Sequence, residues 1–249
     1  MSVEILPVIG LGEIEPGADL GHAILAALHG HNDLTLREAD VVVVTQKIVS
    51  KAEGCMVWLD AVEPSALAKT WAERWDKDPR VVELALRESK RIVRMERGVL
   101  IAETRHGFVC ANAGVDCSNV GTGRATLLPP DPDASAERLR GFLESAFGVR
   151  LGVVITDTFG RAWREGQTNI SIGVSGIQPL RNFEGVVDPT GYQLRVTLLA
   201  TADEVAGAAE LVMGKLDRVP VAIVRGVPDI LGEGRATDLV RPAATDLFR

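Results

Sequence analysis

The sequence predicts an α+β fold. Two kinds of segment support this: short β-branched runs, and stretches whose apolar residues recur every three or four positions. They alternate without the steady β-α-β rhythm of a doubly wound sheet, which favours mixed sheets with helices packed against them. With 46% hydrophobic residues and 4% aromatic ones, the core must be built from Val, Leu, Ile and Ala. The 249 residues suffice for one large core or two modest ones, and the sequence leaves that choice open.

Along the chain, Gly10, Gly12, Pro16 and Gly17 form an opening cluster of breakers. Leu20, Ile24, Leu25 and Leu28 then mark a helix, with Asp19 placed to cap it. Asp40 to Thr45 carries four valines and reads as a buried strand. Helices are expected from Pro64-Ser65 onward and over 81–89. Short strands are expected over 99–102 and 108–111, around a turn at His106-Gly107. The breaker Pro129-Pro130-Asp131-Pro132-Asp133 precedes a helix carrying Leu139, Phe142, Leu143 and Phe147, with Asp133 as its expected cap. Residues 152–156 make the next buried strand. A turn over 185–191, a strand over 193–199, an amphipathic helix over 202–216 and a strand over 220–224 complete the reading.

Composition excludes several classes. The net charge of −7 argues against a long basic face for nucleic acid, so an anionic ligand needs a local cationic or metal-bearing pocket. Cys55, Cys110 and Cys117 include no C-x-x-C pair and fit a reducing cytosol, the expected location. The start lacks the pattern of a signal peptide. No apolar run approaches the roughly 20 residues of a membrane helix, and no membrane partner is expected. The histidines His22, His29, His31 and His106 lack metal-ligand spacing and read as surface or helix-end residues. There is no G-x-x-x-x-G-K-[ST] loop, no complete dinucleotide fingerprint after Gly10, and no G-x-S-x-G elbow.

Three segments place polar residues just beyond strands. Thr45 to Lys51 offers two lysines suited to phosphate oxygens, or else a solvated loop. Ala113 to Asn119 offers Asp116 as a hard-cation ligand, or else an Asx-turn, with Asn119 close enough to bond a base or sugar. Ile155 to Asn169 places Asp157 and Thr158 at the end of a buried strand, followed by dense polar residues that need partners. Carboxylate and hydroxyl oxygens suit Mg²⁺ or Mn²⁺ beside phosphate, so Asp116 and Asp157 together suit a metal–phosphate clamp; a capped turn with surface arginines is the plainer alternative.

Taken in order, Gly10-Leu-Gly-Glu13, Thr45-Gln-Lys-Ile-Val-Ser-Lys51, Ala113-Gly-Val-Asp-Cys-Ser-Asn119, Leu128-Pro-Pro-Asp-Pro-Asp133 and Thr156-Asp-Thr-Phe-Gly-Arg-Ala-Trp-Arg164 resemble the coenzyme F420:L-glutamate ligase family. The resemblance runs from Leu6 to about Gly226. It implies one γ-glutamyl ligase domain over 1–249, with a subdomain boundary left open, no C-terminal nitroreductase-like domain, and an intertwined homodimer. It also implies a GTP-dependent ligase, with GTP, L-glutamate and the F420 precursor as partners. GTP phosphorylates the precursor's phospholactyl carboxylate, the glutamate amine displaces phosphate, and further rounds extend a γ-linked tail. Mg²⁺ or Mn²⁺ (two ions) and K⁺ are the implied cofactors. By position, Asp116 and Asp157 match metal-ligating aspartates and Thr158 a ligand to the second ion; these three are the implied catalytic residues. Gly10, Leu11, Gly12, Glu13, Gln46, Lys51 and Asn119 match GTP contacts. Lys215 departs from the pattern, standing in a nucleotide- and metal-contacting stretch where a cation cannot ligate metal. Arg161, Arg164 and Arg181 are candidates for the acceptor's phosphate or carboxylates. The same chemistry on another carboxylate, and a GTP-binding regulator without turnover, remain alternatives.

Overall fold

A computed structural model describes residues 2–30 and 34–246. The reading of His31 falls outside these residues. In chain order the elements are β1 (Glu4–Pro7), α1 (Leu20–Gly30), β2 (Val41–Thr45), α2 (Gln46–Ala52), β3 (Met56–Trp58), α3 (Ala66–Trp75), α4 (Pro79–Glu88), β4 (Ser89–Glu96), β5 (Val99–Thr104) and β6 (Val109–Ala111). Then follow β7 (Arg124–Thr126), α5 (Pro132–Phe147), β8 (Gly152–Arg161), β9 (Arg164–Ser175), β10 (Arg181–Asn182), β11 (Leu198–Leu199), α6 (Thr201–Met213) and β12 (Val221–Arg225).

The main sheet has the order β1-β12-β2-β8-β9. Only β2 and β8 run parallel; the other neighbours are antiparallel. The sheet is therefore mixed, and the fold is α+β as the sequence predicts. Val41 to Val44 and Val153 to Ile155 are almost fully buried, as continuous β-branched runs require when both faces are covered. Helices α5 and α6 pack on β8 and β9. A second apolar cluster, including Leu59, Leu84, Leu100, Val115 and Ala125, lies outside this main core. The β4-β5-β6 sheet and the β3-β7 pair frame it.

Several helix starts follow their sequence signals. The Asp19 carboxylate accepts a hydrogen bond from the His22 N–H (3.0 Å), Ser65 caps α3, and Asp78-Pro79 opens α4. Helix α5 differs. Asp131 is its cap, accepting from the Ala134 N–H at 3.0 Å. Asp133 lies in the first turn and reaches outward, its Oδ1 accepting from the Val174 N–H (2.8 Å) and the Ala236 N–H (3.0 Å). Proline is favoured at the first helical position, so Pro132 sets the boundary two residues earlier than the expected cap at Asp133.

Three further expectations change. The segment Thr45–Lys51 is not a loop: α2 begins directly after β2, with Lys51 only 7% exposed. The strand expected over 193–199 reduces to β11 and a single bridge at Gln193, because Asp188 organises the preceding turn by accepting from Thr190 and Tyr192. His106 is half-buried rather than a surface residue, with its Nε2 at 2.9 Å from the Pro129 carbonyl.

At one edge of the main core, the Asp40 carboxylate meets the Arg225 guanidinium at 2.8 and 2.7 Å and accepts from the Arg37 N–H at 2.8 Å. This ties the start of β2 to the end of β12.

Candidate active site

The parallel pairing of β2 with β8 puts Thr45 opposite Thr156. The two chains therefore leave the sheet side by side at their carboxyl ends, where open sheets place their ligand crevices. From Thr45 the chain enters α2, which aims Lys47 and Lys51 along the same edge. From Thr156 it does not turn. Strand β8 continues to Arg161 and pairs with β9 as a long hairpin, so Asp157 and Thr158 lie mid-strand rather than at a strand end. The pairing slips between Ile155 and Thr156, leaving Ile172 of β9 as an extra residue. Such a bulge bends the strand that carries it and re-aims the side chains beyond it, in this case Asn169 to Ser171 of β9, which pair with Thr156 to Thr158.

These strand ends border a cleft of about 760 Å³. Its walls bring together Leu11, Gly12 and Glu13 from the first loop, Gln46, Lys47 and Lys51 from α2, and Asn119. Asp157, Thr158, Asn169, Glu210 and Lys215 complete one side, and Arg124 and Arg218 stand at the cleft as well. Gly10, with φ +83°, precedes the lining residues without being one of them. Asp116 is linked to the cleft through Lys47, whose Nζ lies 2.8 Å from its Oδ2. Arg161 and Arg181 bond to the Glu165 and Pro228 carbonyls, and neither these nor Arg164 line the cleft.

Charges in the cleft are unevenly matched. Lys51 pairs with Glu13, and Lys47 also donates to the Ser118 hydroxyl at 2.6 Å. Burial works against ionisation of Asp116, but the Lys47 ammonium and the Ser118 N–H outweigh it and hold the carboxyl below its usual range. The Ser118 N–H donates to Asp116 Oδ1 at 2.7 Å, so the Asx-turn and the lysine pair coexist. Asp157 is the opposite case. Burial pushes its carboxyl up to about 6, the Thr158 N–H opposes this, and the Asp116 charge adds to the rise. Among the described residues, no ammonium or guanidinium lies within ion-pair distance of Asp157. Gln46 is 1% exposed, and its amide donates to the Ser50 hydroxyl and the Leu127 carbonyl, which locks α2 against the chain before α5.

Oxygen donors at Asp116 and Asp157 suit a hard cation, and an under-compensated buried carboxylate is what such an ion would satisfy. No cluster of three or more His, Cys, Asp or Glu side chains able to hold a metal occurs among the described residues. A metal at this pair therefore needs further ligands from substrate or water. Thr158 is differently placed. Its hydroxyl donates to Asn169 Oδ1 (2.7 Å) and accepts from Lys215 Nζ (2.6 Å), while Asn169 donates to Glu210 Oε2 (2.7 Å). Glu210 is the residue sequence reasoning missed. It sits on the amphipathic helix α6, four positions before Gly214 ends the helix, where its type alone signals only a solvated face.

Against known families, residues 8–226 match the family described as F420-0:gamma-glutamyl ligase. The coenzyme F420:L-glutamate ligase of Methanothermobacter thermautotrophicus is 44% identical over 253 aligned positions, covering all of both chains. That of Methanopyrus kandleri is also 44% identical, over all of this chain and 98% of its own. The ligase of Archaeoglobus fulgidus is 38% identical across all of this chain and 97% of its own. The elements that form the cleft, from Leu11 through Arg218, all fall inside the matched residues, and this chain belongs to the F420-0:gamma-glutamyl ligase family.

Proposed function

We propose that this protein is a GTP-dependent ligase that joins L-glutamate to the phospholactyl carboxylate of the coenzyme F420 precursor and then extends a γ-linked glutamate tail. The observation that carries this reading is the cleft beside the end of β2 and the middle of β8, lined by Asp157, Lys47, Lys51 and Lys215, with Asp116 joined to it through Lys47. A carboxylate resists attack by an amine because its leaving group would be oxide. Transfer of the γ-phosphoryl group of GTP to that carboxylate gives an acyl phosphate and GDP. The glutamate α-amine then forms the amide bond, phosphate leaves, and the amine loses its proton.

Each protein group has a part. The three lysines supply positive charge for phosphate oxygens, which offsets the overall charge of −7 locally. Lys51, buried at the base of α2, is preorganised by Glu13 and so loses little freedom on meeting a ligand. Leu11, Gly12, Glu13, Gln46 and Asn119 line the wall assigned to the nucleotide, with Gly10 just before them. Asp116 and Asp157 would hold Mg²⁺ or Mn²⁺, which supplies charge neutralisation to the transferring phosphoryl group. The reading includes K⁺ as activator and a homodimer.

The test is direct. Incubated with GTP, Mn²⁺, L-glutamate and the unglutamylated precursor, the protein should give products heavier by glutamate units in mass spectra, with GDP formed in step. Asp157→Ala should lose this activity while keeping its circular dichroism spectrum. Products unchanged in mass, or a fully active Asp157→Ala variant, would overturn the assignment.

A further inference from the structure

The corner of the cleft at Thr158 is closed by a ring of four side chains. Lys215 Nζ donates to Thr158 Oγ1, Thr158 donates to Asn169 Oδ1, and Asn169 donates to Glu210 Oε2. Glu210 Oε1 stands 4.0 Å from Lys215 Nζ and completes the circuit. Each member is held by the fold. Asn169 is 2% exposed on β9, directly opposite Thr158 in the register. Helix α6 approaches β9 closely at Gly207, which brings Glu210 onto Asn169. Gly214, at φ +59° and ψ −175°, breaks α6 and throws Lys215 back across the cleft.

This arrangement disagrees with a second metal ion at Thr158. A hydroxyl has one proton, which Thr158 donates to Asn169, and its oxygen already receives an ammonium at 2.6 Å. A divalent ion bonded to the same oxygen would stand roughly 2.1 Å from it, bringing two positive centres against each other without an intervening anion. The ring contains one carboxylate, Glu210, and one ammonium, so its charges already balance.

We propose that the ammonium of Lys215 takes the place of a second cation in this protein: one divalent ion binds at Asp116 and Asp157, and Lys215 supplies the remaining positive charge to the phosphates from the Thr158 side. The inference rests on the reading of the cleft as a nucleoside triphosphate site. A lysine there gives a fixed charge whose position is set by Thr158, independent of the concentration of free ion.

The experiment counts ions directly. Mn²⁺ is titrated into the protein in the presence of a non-hydrolysable GTP analogue, with free Mn²⁺ followed by electron paramagnetic resonance and analogue binding by calorimetry. The expected result is one protein-dependent Mn²⁺ per bound analogue for the natural sequence and for Lys215→Arg, and two for Lys215→Gln, which offers a neutral oxygen donor. At a Mn²⁺ level that fills only one site, Lys215→Gln should bind the analogue at least tenfold more weakly. Two Mn²⁺ ions per analogue in the natural protein, or one ion and unchanged affinity in a folded Lys215→Gln, overturns the inference. Absence of analogue binding by the natural protein removes the nucleotide reading itself, and the inference with it.

Discussion

Replacing Asp40 by alanine offers a sharp test of how the site's platform is held. Asp40 is fully buried where β2 begins and satisfies three donors: Arg225 Nε at 2.8 Å, Arg225 Nη2 at 2.7 Å and the Arg37 N–H at 2.8 Å. The variant leaves a guanidinium that is mostly buried with one remaining acceptor, the Thr35 carbonyl at 2.9 Å. Removing one member of a buried ion pair costs about 3–5 kcal/mol, because the surviving charge is stranded in a poorly polarisable setting. For a chain of this size each kcal/mol lowers Tm by about 2–4 °C, so Asp40→Ala should melt roughly 10 °C lower in scanning calorimetry. The double variant Asp40→Leu/Arg225→Met, which removes both charges and keeps apolar volume, should recover most of the loss. The pair lies at the opposite end of β2 from the cleft, so turnover per folded molecule should hold at low temperature. A Tm within about 2 °C of the parent, or a double variant no better than the single one, would refute the reasoning.

Other expectations are simpler. Lys51→Met removes the buried cation beside Glu13, and a charge-assisted contact is worth about 1.5–3 kcal/mol, so GTP affinity by calorimetry should fall at least tenfold. In Gly173→Ala the added carbon would sit 2.5 Å from the Pro132 carbonyl oxygen at the head of α5, where backbone cannot yield; about 3 kcal/mol of stability should be lost in urea titration. Gly141→Ala, in the open middle of the same helix, should gain about 0.5–1 kcal/mol. Glu83 accepts from Ser65 and Arg87, which hold its carboxyl down at about 2. Its stabilisation is complete above the ordinary carboxylate range and is lost as pH falls from about 5 towards 2. The stability difference between Glu83→Gln and the parent, up to about 3 kcal/mol at neutral pH, should therefore shrink over that interval.

Much of the fold can be read from the sequence where one signal dominates. The valines of β2 have no alternative to burial, and the starts of α1 and α3 lie where Asp19 and Ser65 mark them, whereas α4 begins at Asp78-Pro79, ahead of the expected 81–89. Strand β9 is harder to see, because its first third, Arg164 to Gln167, is polar and exposed and takes its conformation from pairing with β8. Helix α2 is short and continues straight from a strand, so its apolar positions cover too few turns to set a helical period. In the cleft, Asp157, Lys51 and Asn119 announce themselves by residue type, although Lys51 lies in a helix and Asp157 inside a strand. The Thr158–Lys215 contact joins residues 57 positions apart and depends on how α6 ends. Glu210 has the same limitation: on sequence it is an ordinary helical glutamate, and its part is fixed only by Asn169.

The order of strands in the main sheet has a consequence for how the protein is made. Strand β1, at Glu4–Pro7, has β12, at Val221–Arg225, as its neighbour in the sheet, and β12 also separates β1 from β2. On the ribosome the first strand must wait for more than two hundred residues before its partner emerges. Until β8 is made β2 has neither neighbour, and until β12 follows one of its edges stays open, where its valines invite pairing with other chains. Such long-range closure slows folding and lengthens the interval in which a nascent chain needs chaperone protection. The cleft takes walls from both Leu11 and the segment beyond α6, so a nascent chain that stops short of α6 should lack it.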